Sequence, residues 1–194
     1  MSAALQNPPG KRWTRAECER LEAAGVFDQQ RVELIEGELI VKMSKNRPHV
    51  NTAALLTAWL IQIFGALRVN AEAPIDVAPE DNPTNEPVPD LIVLTREYTA
   101  SGFQSVSPQP GDLDLVVEIA DTSLGFDLTV KAALYTRAGI ADYWVLDIPG
   151  RRLIVHRDPQ GDRYASVNTY NEQDAVAPLA APDSLFQIRN VFPK

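Results

Sequence analysis

Hydrophobic positions along the chain follow two rhythms. From Pro48 to Phe64, Val50, Ala53, Ala54, Leu56, Leu60, Ile61 and Phe64 keep close to helical spacing, and Gly65 ends the run. This pattern predicts the longest helix. Thr14 and Glu17 have the spacing of a capping box, which predicts a short helix to about Ala24 with Gly25 as its stop. A third helix is expected over Asp127 to Ala138, with Asp127 as its N-cap and Gly139 closing it.

Elsewhere the period is two, or the run is apolar throughout. Residues 31–35 and 38–43 alternate around Glu36-Gly37 and predict a hairpin. Strands are expected over 67–77, 90–95, 113–119 and 142–147. After Pro149-Gly150 another follows from Arg151, so the later sheet is expected to be antiparallel; 163–170 and 184–188 read as further strands. Residues 78–89 and 97–112 carry the proline, glycine and acidic residues of loops, and 1–12, with Asn7-Pro8-Pro9-Gly10, read as a flexible arm. The element order implies one mixed α/β domain over 1–194: a central mixed β-sheet flanked by helices, an N-terminal helix and hairpin, and a β-rich C-terminal tail.

Composition narrows the class. The 194 residues are 45% hydrophobic and 23% charged, ordinary for a globular chain. The stretch Ala53 to Phe64 is too short to span a bilayer, which needs about 20 apolar residues. No apolar secretory region opens the chain, and the one cysteine, Cys18, excludes an internal disulfide or a multi-cysteine zinc site. A cytoplasmic protein without a membrane partner is expected. The net charge of −8 disfavours a nucleic-acid groove spread over the whole surface, but leaves room for a local patch or a metal that reverses the sign.

The chemistry-bearing signal is a set of acids at the ends of apolar strands. Asp90 opens the strand Leu91 to Thr95, and Glu118 closes Leu113 to Val117. A carboxylate there is costly unless paired or coordinated. Two on adjacent strands make a hard oxygen site suited to Mg²⁺ or Mn²⁺. Lys131 lies one helical turn after Asp127, which would orient it if not simply capping the helix. A structural reading stands beside this one, in which Glu118 pairs with Lys131 or Arg137. Ser123 with His49 lacks the nucleophile-elbow context of a serine hydrolase. His49 is expected at the surface or in packing, and His156, Tyr143 and Trp144 in structural roles.

Pro89-Asp90 followed by Glu118-Ile119-Ala120 at a strand end resembles the PD-(D/E)XK nuclease superfamily. A closer resemblance is to the Uma-two family of restriction endonuclease-like proteins. It is carried by Val32 through Leu39, the Pro48-His49 helix start, Pro89-Asp90, Val117 through Ser123, Asp127 with Lys131, and Tyr135 through Asp147, and it covers roughly residues 30–190. It implies a restriction endonuclease-like core and a Mg²⁺- or Mn²⁺-dependent endonuclease, with DNA the expected substrate and RNA a second one. Asp90 and Glu118 would bind the metal. The superfamily's lysine falls at Ala120, and the resemblance puts Lys131 in its place. Glu33 would be a further ligand or base, and the protein a homodimer. The rival expectation is a nuclease-fold scaffold that binds nucleic acid or protein without cleaving.

Overall fold

The structure, a computed structural model, describes residues 10–28, 30–42, 45–99 and 106–192. Residues 1–9 of the expected arm lie outside the described residues. Its end, 10–12, lies against the hairpin: Arg12 donates to the Glu36 carbonyl, and the Trp13 amide to that of Gly37 at 2.7 Å.

Helix α1 (Arg15–Ala23) carries the Thr14/Glu17 capping box. Strands β1 (Val32–Ile35) and β2 (Glu38–Val41) form the hairpin. Its turn needs two left-handed residues, Glu36 at φ 50° and Gly37 at φ 73°, the demand of a two-residue turn between twisted strands. A Cβ at Gly37 would also come within 3.1 Å of the Arg12 side chain. Helix α2 (Arg47–Phe64) starts on Asn46, whose side chain accepts from the His49 amide at 3.0 Å.

Six strands make the central sheet in strictly sequential order: β3 (Val69–Ala71), β4 (Leu91–Leu94), β5 (Leu113–Ala120), β6 (Asp142–Asp147), β7 (Arg152–Gln160) and β8 (Arg163–Asn171). Only β5 and β6 run parallel. A parallel pair needs a crossover. Here it consists of α3 (Leu124–Phe126), a π-helical turn Asp127–Lys131 and α4 (Ala132–Arg137). The short strands β9 (Ala175–Val176) and β10 (Phe186–Gln187) pair apart from the sheet.

Strand alternation divides the core. Leu115, Val117, Ile119, Trp144 and Leu146 pack with Leu56 and Leu60 of α2 and Phe186 and Ile188 of the tail. Val116, Ala120, Tyr143 and Val145 face the crossover residues Ala132 and Tyr135. Glu118 shares the parity of Val116 and Ala120, so it points toward the crossover helix.

Four expectations are corrected. The strand read over 67–77 stops at Ala71, because Glu72 adopts φ 52° and Pro74 follows. The strand read over 184–188 is only Phe186–Gln187, followed by a 3₁₀ turn, Ile188–Val191. Strand β5 runs to Ala120, one residue beyond the expected end at Ile119. The third helix starts at Leu124 with Ser123 as its N-cap residue, so Asp127 is inside the helix and not its cap.

Candidate active site

Glu118 and Lys131 meet where β5 packs on the crossover. Glu118 is buried near the end of a strand on which only Asp114 is part-exposed, so its carboxylate meets protein partners. Lys131 Nζ stands 2.9 Å from Glu118 Oε1, and the Tyr135 hydroxyl donates to the same oxygen at 3.0 Å. The π turn widens the helix between Asp127 and Lys131 and buries both, and such turns recur at functional sites. From the hairpin, Glu33 Oε2 lies 3.0 Å from Lys131 Nζ and accepts from the Val88 amide at 3.2 Å. Lys131 thus bridges two carboxylates, and all three residues are buried.

Asp90 precedes β4, next to β5. Its Oδ2 accepts from the Ile119 amide at 2.8 Å and lies 3.4 Å from His49 Nε2. Its Oδ1 is 2.7 Å from Lys45 Nζ and 4.0 Å from Lys42 Nζ. Of the surface and packing roles expected for His49, the structure shows burial, with the ring facing Asp90 across the cleft. Its position one turn into α2, close to the Asn46 cap, aims it at Asp90 rather than outward.

These side chains line a cleft of about 490 Å³ with Asn46, Asp121, Ser123 and Phe126. Asn46 caps α2 with its oxygen and donates from Nδ2 to Asp121 at 2.6 Å. The Ser123 hydroxyl donates to Asp127 at 2.5 Å. Arg137, the other partner considered for Glu118, instead binds Asp81 and Glu36.

The electrostatics follow from many acids sharing few cations. Burial pushes the Glu118 carboxyl up to about 8, with Lys131 opposing and Asp127 and Asp90 adding to the rise. Burial also raises Asp127, against the pull of Lys131 and Ser123. Burial disfavours the Lys131 ammonium, but Glu118 and then Glu33 outweigh it and raise its pKa, so the lysine stays charged. Asp90 differs: burial is overcome by His49, Lys42 and Lys45, which hold it well below the usual carboxylate range.

Among the lining residues, five acids (Glu33, Asp90, Glu118, Asp121 and Asp127) face three lysines (Lys42, Lys45 and Lys131). That excess of hard oxygen suits a divalent cation. No group of three or more His, Cys, Asp or Glu forms a ready-made metal cage among the described residues. Two carboxylates are nevertheless what Mg²⁺ ordinarily takes from a protein when substrate phosphate completes its shell. The donor set therefore fits the metal that the fold family implies.

A family model described as "Putative restriction endonuclease", Uma2, matches residues 15–188. The chain belongs to the Uma2 family. A solved structure with the same fold is that of a protein described as a putative nuclease belonging to DUF820 from Anabaena variabilis ATCC 29413. It aligns with a TM-score of 0.63 at 17% identity, over 84% of this chain and 90% of that one. No curated protein matches the chain. The Uma2 assignment supports nuclease activity in general, and the mixed sheet with its crossover helix is the restriction endonuclease-like core expected from the sequence.

Sequence reasoning brought Asp90, Glu118, Lys131 and Glu33 forward, and the fold gathers them around one cleft. It missed Lys42, Lys45 and Tyr135 as site residues. The signal for the lysines was a basic run, Lys42, Lys45, Arg47 and His49, between a strand and a helix start. Tyr135 carried a signal in its spacing, one turn beyond Lys131 on the same helix face.

Proposed function

We propose that this protein is a divalent-metal-dependent endonuclease that hydrolyses phosphodiester bonds, with DNA as its substrate. The observation that carries the reading is the buried Lys131, shared by Glu118 and Glu33 at the back of a cleft in which Asp90 stands on the adjacent strand. Asp90 and Glu118 are the residues that would hold Mg²⁺ or Mn²⁺. When bound, the ion would polarise a phosphate and lower the pKa of a water.

The chain's own residues do the rest. Lys131 keeps its charge through pH 7 and offers an ammonium to negative charge developing on the phosphate. Tyr135 fixes the Glu118 oxygen by hydrogen bonding. Glu33 holds Lys131 from the hairpin side and is the carboxylate available to accept a proton. His49 and the Ile119 amide fix Asp90 Oδ2. Lys42, Lys45 and His49 gather cationic groups around Asp90 at one side of a cleft otherwise rich in acids.

The test is cleavage of supercoiled and linear plasmid by purified protein with Mg²⁺ or Mn²⁺, beside Asp90→Ala. Metal-dependent nicking lost in the variant is the expected result. A second reading, a non-catalytic scaffold of the same fold, draws on one observation: Asp90, Glu118 and Glu33 already have cationic partners. Absence of cleavage of plasmid and of RNA with either ion would favour that reading.

A further inference from the structure

Asp90 is attended by more positive groups than its neighbours. Lys45 and Lys42 approach Oδ1, while His49 and the Ile119 amide approach Oδ2. The two lysines are held differently. Lys42 is anchored on the Val88 carbonyl at 2.6 Å and stands 4.0 Å from Asp90. Lys45 is in direct contact with Asp90 and also with Glu72, its Nζ 2.6 Å from Glu72 Oε1. Glu72 adopts φ 52°, a left-handed conformation uncommon for glutamate. There its carboxylate serves Lys45 and Arg31 together.

We infer that Lys45 stands in for the divalent cation: its ammonium neutralises Asp90 in the metal-free protein and yields Oδ1 to the metal by moving wholly onto Glu72. The inference rests on the metal-dependent reading above. A buried carboxylate without a counter-charge is costly, so a protein that folds before it meets its metal needs another cation there. Ammonium and metal ion compete for the same oxygen. The lysine stem is flexible and its charge compact, so exchanging one carboxylate for another is a short movement. Lys45 retains 21% of its side-chain exposure, and Lys131 only 2%, so of these two lysines it is Lys45 that has room to move. Lys45 is thus a positioning residue that sets how readily the metal enters.

Calorimetric titration of Mg²⁺ and Mn²⁺ into the intact chain tests this, using wild type, Lys45→Met, Lys42→Met and Glu72→Gln, with circular dichroism as the check on folding. Lys45→Met should bind metal about tenfold more tightly, a difference of ~1.4 kcal/mol. Lys42→Met removes the same charge without the contact and should tighten binding by less than about threefold. Glu72→Gln removes the alternative partner and should weaken binding several-fold. A second readout needs no variant: on the wild-type protein, acetylation of Lys45 measured by mass spectrometry should quicken several-fold when Mg²⁺ is added. Equal tightening in the two lysine variants, or Lys45 reactivity unmoved by a metal that does bind, would overturn the inference and leave the metal reading intact. If no form binds either ion, both fall.

Discussion

Lys131 is the residue on which the site's stability and chemistry converge. It sits between Glu118 and Glu33, and neither carboxylate touches another lysine among the described residues. Replacing it with methionine removes the charge but keeps the bulk, leaving two buried carboxylates without their cation. Breaking a buried pair in this way costs about 3–5 kcal/mol. Lys131→Met should therefore lower the urea midpoint markedly and abolish plasmid nicking. Adding Glu118→Gln should recover part of the stability and none of the activity, separating the electrostatic cost from the chemical role. The acids were visible in the sequence because Asp90 and Glu118 interrupt runs that are otherwise apolar. Glu33 was half visible, since alternation on a hairpin does not say which face is buried. The facing of His49 toward Asp90 was not legible, because a helix start gives no sign of the carboxylate it meets across the fold.

At the scale of elements, the π turn is the unusual piece. Asp127 and Lys131 are the ends of one widened turn, which inserts an extra residue relative to an α-helix. Deleting Thr129, an exposed residue in that turn, should restore α-helical winding and change where Lys131 points relative to Asp127. The protein should keep its helical circular dichroism and lose metal-dependent cleavage; unimpaired cleavage would show that the widened turn does not aim the lysine. Most elements were legible because caps and alternation are local. The capping box at Thr14 and the Gly65 and Gly139 terminators stand where the sequence put them. The misreadings share a cause in tertiary contact. Residues 72–77 alternate well, yet Glu72 leaves the strand to meet Arg31 and Lys45. Asp127 looks like a cap, yet the helix begins earlier and buries it.

For the whole molecule, pH response comes from groups on opposite sides of neutrality. Burial lowers His156 to about 4 from 6.5, with a hydrogen bond to the Tyr143 backbone opposing; its ring lies between Tyr143 and Tyr164. A depressed histidine contributes stability that is full above 6.5 and lost as pH falls through 4. Glu118 has the opposite sign: raised from 4.5 to about 8, it favours the fold fully below 4.5, and that contribution is lost as pH rises through 8. Between 4.5 and 6.5 the two slopes oppose each other, so His156 offsets part of the fall that Glu118 and the likewise raised Asp127, Asp142 and Glu86 impose. His156→Phe should steepen the fall with rising pH between 4.5 and 6.5, read as denaturant midpoints from pH 4.5 to 8. An unchanged profile would mean that His156 is not held neutral by the fold. The antiparallel pairing of β6 with β7 was readable from the short Pro149-Gly150 turn; the order of the earlier strands, joined by long loops and a crossover, was not.

Sequential strand order also sets a timetable. A chain that emerges from its N-terminus completes the Glu33 hairpin early and β5 much later. Glu118 and Lys131 are only 13 residues apart, so they are delivered almost together, and the parallel pair closes over them once Asp147 has appeared. Until then Glu33 lacks its lysine, and the first half of a nascent chain carries acids but no assembled centre. Competence to cut would arrive in one step, when the crossover folds onto a hairpin already waiting for it.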